Sequence, residues 1–192
     1  MDRDKITQAV RLFFEGIGED PDRPGIRETP QRICRMCEEI FSGVGAEPSN
    51  VIKVIGEQEH DEIILVKDVP FYSICEHHLL PFRGACHVAY IPDRKITGLS
   101  KIVRVIELCS RRPQVQERLT TQIAEAIVRA LLPKGVMVVM EAEHLCMTMR
   151  GVKKPGSLMV TSVVRGIFRS NAKTRAEAMS LIEGKRAASR LL

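Results

Sequence analysis

Apolar positions recur at helical spacing in several stretches of the chain and give way, between them, to runs of β-branched residues. Ile6, Ala9, Val10, Phe13, Phe14 and Ile17 fall on one face of a helix over residues 4–17. A loop rich in Pro, Gly and Asp follows at 19–25. Thr29-Pro30 then reads as an N-cap with Pro at the first helical position. Ile33, Met36, Cys37, Ile40 and Phe41 make that helix's stripe, and Gly43 ends it. Leu99, Ile102, Val103 and Ile106 mark a short helix over Leu99–Cys109. Val115, Leu119, Ile123, Ala126, Ile127, Ala130 and Leu131 mark a longer one over Val115–Leu132, stopped by Pro133. A last helix is expected over Thr174–Glu183, and the tail Gly184–Leu192, with Lys185, Arg186 and Arg190, is expected to be loose. Strands are predicted at Val51–Ile55, Ile63–Val69, Ala85–Ile91, Val136–Ala142, Leu145–Met149 and Leu158–Phe168.

The strands cluster instead of alternating regularly with helices. That order predicts an α+β fold, with helices on one face of a mainly antiparallel sheet. Residues 1–45 are helix and loop throughout and are expected to form an N-terminal helical extension on a body spanning 46–192. The length of 192 residues suits this single body, and 44% hydrophobic residues can fill its core. Trp is absent and aromatics are only 4%, so the core must rest on Ile, Val, Leu and Met. No apolar run reaches the length of a membrane span. The charged start Met1-Asp2-Arg3-Asp4-Lys5 lacks the apolar segment of a signal peptide, so a cytoplasmic protein is expected, with its six cysteines as thiols or metal ligands. The net charge of +5 suits an anionic partner. No Lys/Arg block is interleaved with aromatics, which argues against a nucleic-acid surface, and a slightly basic protein with no anionic partner would have the same charge.

The chemistry concentrates in two short segments. Cys75-Glu76-His77-His78 and His144-Leu145-Cys146 hold two thiols and three of the five histidines. Zinc binds thiolate sulfur and imidazole nitrogen in a tetrahedral shell, and a catalytic zinc keeps one position open. Cys75 and His78 have a spacing that lets one turn chelate a single ion, and Cys146 can complete the set. On a strand, His144 and Cys146 would share a face. Two arrangements stay open: three protein ligands with His77 and His144 free to move protons, or a closed structural site with one of them as fourth ligand. Cys34 and Cys37 also form a C-x2-C pair, but the helical stripe around them reads as core, as does Cys109. His87 is expected to be a satisfied or exposed strand residue, and His60 a solvated one.

Ser100, Lys101 and Arg104 cluster at a predicted helix start, where free N–H groups and the helix dipole attract anions. A solvated helix face would look the same. Arg150, counted along a strand from His144, is placed on the same face. Arg32 and Arg35 stand on the polar side of the second helix. The absence of a Gly-x4-Gly-Lys-Ser/Thr run excludes a P-loop. Glu117 is either a first-turn acid favoured by the dipole or a reader of guanine, whose N1–H and 2-amino group offer a carboxylate two parallel hydrogen bonds.

Together these segments resemble GTP cyclohydrolase I. The likeness rests on Cys75-Glu76-His77-His78, Gly98-Leu99-Ser100-Lys101, the run from Arg112 to Leu119, Glu143-His144-Leu145-Cys146, and Met149-Arg150-Gly151. Glu28-Thr29-Pro30-Gln31-Arg32 and Thr161-Ser162 belong to it as well. The resemblance implies conversion of GTP to 7,8-dihydroneopterin triphosphate and formate, the first step of pterin and folate biosynthesis. It implies Zn2+ held by Cys75, His78 and Cys146, with zinc-bound water attacking C8 of the purine. His144 and His77 would transfer protons, and Ser100 would sit near the ribose. Gln116 and Glu117 would recognise guanine. Lys101, Arg104, Arg150, Arg32 and Arg35 would hold the triphosphate, position 35 being Lys in many relatives. The implied fold is the T-fold (tunnelling fold), a four-stranded antiparallel sheet with two helices on one face. Its subunits join into homodecamers with active sites between them.

Overall fold

Alternation of apolar side chains draws four long strands into one sheet. The computed structural model describes residues 1–57 and 59–184 of the chain, and the tail expected to be loose lies, from residue 185 on, outside the described residues. In chain order the elements are α1 (Arg3–Gly16), α2 (Thr29–Ile40), a 3-10 turn at Pro48–Val51, β1 (Val54–Glu57), β2 (Ile64–Cys75), β3 (Pro81–Ile91) and β4 (Lys95–Thr97). There follow α3 (Leu99–Ser110), β5 (Pro113–Gln114), α4 (Gln116–Leu131), β6 (Gly135–His144), α5 (Leu145–Thr148), β7 (Met159–Gly166), α6 (Ile167–Ser170) and α7 (Ala172–Glu183). The main sheet has the order β5-β2-β3-β6-β7, and β1 and β4 form a separate ribbon. β2, β3, β6 and β7 are mutually antiparallel, and only the two-residue β5 joins in parallel. The four-stranded antiparallel sheet with two helices on one face is therefore present, extended by one short edge strand.

Helix α3 lies over β2, and α4 lies over β6 and β7. Their stripes meet the same face of the sheet. Ile102, Val105, Ile106 and Cys109 of α3, with Leu119, Ile123 and Ile127 of α4, bury against Cys86, Val88, Tyr90, Val136, Val138 and Met140. Burial at this scale is what drives the fold, at about 25 cal/mol per Å2 of apolar surface removed from water. The opposite face is covered at one end by α6 and α7, where Phe168, Ala178 and Ile182 pack on Ala89, Ile91, Met137 and Val139. Covered on both faces, β3 is continuously buried from Cys86 to Ile91. Lys67 of β2 donates to the carbonyls of Leu181 (3.1 Å) and Gly184 (2.9 Å) at the end of α7, a cation at a helix C-terminus.

Several boundaries differ from expectation: β3 starts at Pro81, β1 starts at Val54 after a 3-10 turn, and Ile167 and Phe168 belong to the helical turn α6 instead of a strand. Pro70 does not end the second strand, which runs on to Cys75 after a bulge between Val66 and Val69. Proline is tolerated there because β5 reaches only Ile74 and Cys75, leaving that edge of β2 open at Pro70. Leu145–Met149 is not a strand: β6 ends at His144 and the next four residues form the helical turn α5. Position 144 is thus the end of a strand while 146 and 148 lie in a helix and Arg150 in the turn beyond, so the expected common face does not exist. Thr29 is the first residue of α2, not its cap.

The N-terminal helices pack on each other, Arg3 donating to the Glu38 carboxylate from Nε (2.5 Å) and Nη2 (2.8 Å). Helix α1 buries no residue; Phe13 and Ile17 of the expected stripe are exposed, as is Leu12 beside them. Gly43 ties this region to the body. Its N–H bonds the Arg111 carbonyl at 2.9 Å, and a Cβ there would come within 2.1 Å of the Leu108 carbonyl. No described helix is long and apolar enough to cross a membrane.

Candidate metal centre and its surroundings

The hairpin between β2 and β3 carries the first two candidate ligands. Cys75 closes β2, its carbonyl accepts from Leu79 N at 2.8 Å, and its N–H bonds the Leu80 carbonyl at 2.9 Å. Leu79 takes φ +54° to complete this tight loop. The turn brings His78 Nδ1 to 3.7 Å from Cys75 Sγ. Cys146 arrives from α5, which follows directly on β6, and β6 is the ladder neighbour of β3. The donor atoms of Cys75, His78 and Cys146 all lie within 4.8 Å of one another. Two sulfurs and an imidazole nitrogen at that separation fit a tetrahedral ion with bonds of about 2.0–2.3 Å and one position left for another ligand. Cys75 is buried, Cys146 half-buried and His78 exposed, so the trio opens towards solvent on the His78 side. Burial and the adjacent Cys75 push the Cys146 thiol up, with Arg150 opposing. A bound cation reverses that balance and deprotonates a coordinated thiol.

The loop is braced from β5 and from α4. Glu76 N bonds the Gln114 carbonyl at 3.0 Å. Arg118 pairs with the Glu76 carboxylate and bonds Gln114 Oε1 (2.9 Å) and the Pro113 carbonyl (3.1 Å). The Arg118 hydrogen bond holds the Glu76 carboxyl below its usual range. His77 stays exposed at the mouth, edge-on to His78 with ring centroids 6.2 Å apart.

His144 sits beside this trio at the end of β6. Its ring stacks on Phe82, opposite it in the β3–β6 ladder, at 4.4 Å and 3° between planes. Its Nε2 is 2.8 Å from Gln116 Oε1. Burial lowers the His144 pKa, opposed by the charge of Glu117. The imidazole is therefore mainly neutral near pH 7, the state in which it can both take and give a proton. Gln116 is buried and bonded entirely within the protein, whereas Glu117, next in the chain, is exposed.

One chain gathers some of the expected residues and not others. Cys75, His78, Cys146, His77, His144, Gln116, Glu117 and Arg150 are linked as neighbours: the trio to one another, His77 to His78, His144 to Gln116 and Glu117, and Arg150 to Cys146. Ser100, Lys101 and Arg104 occupy the first turns of α3, whose other end touches the β2 terminus through Ser73 Oγ to the Ser110 carbonyl, 2.7 Å. At about 1.5 Å of rise per residue, Ser100 and Lys101 sit about 14–15 Å, and Arg104 about 9 Å, along α3 from its Ser110 end. Arg32 and Arg35 lie exposed on α2, Arg32 pairing with Glu28 at 3.0 Å. A cavity of about 690 Å3 between α2 and β2, lined by Met36, Phe71, Tyr72 and Leu79 among others, contains none of the candidate ligands.

The remaining cysteines and histidines behave as expected of structural residues. Cys34, Cys86 and Cys109 are buried free thiols, and among the described residues only the trio forms a metal-competent cluster. His87 is buried and its Nδ1 accepts from the Asp68 N–H at 3.1 Å, in the bulge of β2. Phe82 and Arg118 were not singled out from the sequence. Phe82 depends on the β3–β6 register and Arg118 on the fold of the hairpin, neither of which local spacing reveals.

The family model for GTP cyclohydrolase I matches residues 6–183. The GTP cyclohydrolase 1 of Caldanaerobacter subterraneus subsp. tengcongensis is 62% identical over 187 residues, 97% of this chain and 100% of that protein. That of Thermoanaerobacter pseudethanolicus is 59% identical with the same coverage, and that of Geobacillus kaustophilus 58% identical over 93% of this chain and 96% of its own. The match spans both ligand-bearing segments and everything between them, and the chain belongs to the GTP cyclohydrolase I family.

Proposed function

We infer that this chain converts GTP and water to 7,8-dihydroneopterin triphosphate and formate at a zinc centre formed by Cys75, His78 and Cys146. The observation that carries this reading is the convergence of those three donors within 4.8 Å beside His144, in a chain of this family. When bound, zinc supplies Lewis-acid activation of water near neutral pH. The rest follows from the chain's own groups. Glu117, exposed beside His144, accepts hydrogen bonds from N1–H and the 2-amino group of guanine. Adenine, which offers neither donor there, leaves that carboxylate unpaired and is rejected. The neutral His144 exchanges a proton with the imidazole ring of the purine as it opens at C8, and His77 serves as its partner at the solvent side. Arg150 contributes positive charge next to the trio, where a triphosphate can be held.

Ser100, Lys101 and Arg104, with Arg32 and Arg35, complete the substrate site from a neighbouring subunit. Their distance along α3 from the trio, and the exposed Leu12, Phe13, Ile17 and Tyr72, support a homo-oligomer, a decamer, with active sites between subunits. Residues 1–45 act in it as a helical extension of the catalytic body 46–192. Six free thiols, two of them metal ligands, suit a cytoplasmic location. The test is direct: incubation of the zinc-loaded protein with GTP yields formate and a fluorescent pteridine. Cys146→Ala loses metal and product together, while Glu117→Ala keeps the metal and weakens GTP binding. A zinc-loaded preparation that releases no formate sinks the reading.

A further inference from the structure

The carboxamide of Gln116 is wired in one direction only. Its Nε2 lies 3.1 Å from the Met140 carbonyl, 3.0 Å from the Met159 carbonyl and 3.1 Å from Thr161 Oγ1. Carbonyls only accept, so the amide nitrogen must face them and the oxygen must face away. The oxygen faces His144 Nε2 at 2.8 Å. The threonines fix the remaining direction. Thr120 Oγ1 donates to the Gln116 carbonyl at 2.7 Å, so it must accept from Thr161 Oγ1, also 2.7 Å away. Thr161 in turn has its lone pairs free for Gln116 Nε2. Every hydrogen in this buried chain is accounted for: His144 Nε2–H to Gln116 Oε1, Gln116 Nε2–H to Thr161, Thr161 O–H to Thr120, Thr120 O–H to the Gln116 backbone. No described buried side-chain polar atom lacks a partner.

We propose that Gln116 is a positioning residue, which with Thr161 and Thr120 holds His144 in the Nε2–H tautomer and leaves Nδ1 as the nitrogen that exchanges a proton with the reactant. Phe82 fixes the plane of the ring by stacking, and Gln116 fixes its rotation within that plane. A hydrogen bond to one imidazole nitrogen sets which nitrogen carries the proton. The two amide hydrogens already have three acceptors within 3.1 Å, so the Gln116 side chain has no donor left for a base. Guanine reading by the adjacent pair thus falls to Glu117 among the side chains. Thr161, part of the sequence likeness but without a task in the proposed function, gains one here. The inference rests on the proton-transfer role of His144, but its structural core can be read without turnover.

The experiment is 15N NMR of the zinc-loaded protein in the solid state, with histidine labelled and the His144 signals assigned by their loss in His144→Asn. The native protein is expected to show His144 with a protonated Nε2 and an unprotonated Nδ1. Gln116→Met, which removes the acceptor opposite Nε2, is expected to mix the tautomers. With GTP as substrate, Gln116→Met lowers kcat by about 10- to 100-fold, the usual effect of losing such an outer partner, and leaves KM within about threefold. A protonated Nδ1 in the native protein overturns the proposal, and that measurement needs no variant to fold. So does a Gln116→Met protein with an unmoved tautomer, or one in which KM rises and kcat does not fall. If the native enzyme released no formate while His144 held the Nε2–H form, the function would fail and the hydrogen-bonded arrangement would stand.

Discussion

Replacing Phe82 by Ala separates what the aromatic ring does for the core from what it does for the site. Phe82 is 0% exposed, edge-on to Phe71 at 6.0 Å and stacked on His144 at 4.4 Å. Truncation of a fully buried Phe costs about 3–5 kcal/mol through lost transfer free energy and the cavity left behind. The ring–ring contacts supply about 0.5–1.5 kcal/mol of this for each aromatic pair beyond area alone. For a chain of this size each kcal/mol moves the melting temperature by about 2–4 °C, so Phe82→Ala should melt roughly 6–20 °C lower. Phe82→Leu refills most of the volume and should cost only about 1–2 kcal/mol, ordinary for a core substitution. Leu has no flat face for the imidazole, so kcat should fall in both variants although only one loses much stability. Calorimetry at matched protein concentration, needed because assembly shifts apparent stability, and formate release give the two readouts. A Phe82→Ala protein melting within about 2 °C of the parent, or Phe82→Leu with undiminished kcat, refutes the reasoning.

Thiol titration checks the metal centre independently of turnover. With zinc bound, Ellman's reagent should reach Cys37 alone and slowly, since Cys34, Cys86 and Cys109 are buried and burial pushes the Cys109 thiol up to about 12. A chelator should add Cys146 and then the more buried Cys75, and a count unmoved by chelation contradicts the trio. Acid should loosen α1 from α2. The Arg3 hydrogen bond holds Glu38 below its ordinary 4.5, so the folded state binds fewer protons than the unfolded one around that pH. The contribution is fully present above about 4.5 and is lost as pH falls through the lower folded value. Amide exchange in residues 3–16, corrected for intrinsic rate, should report that loss. Arg3→Ala should show weak protection at every pH, and the argument fails if it keeps the parent's pH dependence.

Periodicity made the helices legible because α3 and α4 each bury one face against a sheet. The same reasoning misread Leu145–Met149, since a single helical turn is too short to show a period and its apolar residues pass equally for strand. The second strand was expected only as far as Val69 because a proline's effect, here at Pro70, depends on whether its edge of the sheet is paired, which is a tertiary fact. The metal ligands stood out because Cys and His are chemically conspicuous. Phe82 did not, and Thr161 showed only as a motif member without a task, because their contribution is a register: Phe82 faces His144, and Thr161 lies opposite Met140, whose carbonyl shares the Gln116 amide. Gln116 was legible as a member of a motif, but its hydrogen-bond partners come from β6 and β7, far along the chain.

The origin of the trio bears on when the protein can hold its metal. Cys75 and His78 form a local pair that a single hairpin can present, but Cys146 reaches them only once β6 has docked on β3 over the ten paired positions from Phe82–His144 to Ile91–Gly135. Closing that long loop carries an entropic cost repaid only by the completed ladder. A nascent chain can therefore offer two donors early and the third only after the central sheet has zipped. Tight capture of the ion marks the end of folding, and a refolding time course followed by metal uptake would lag behind one followed by helix signal.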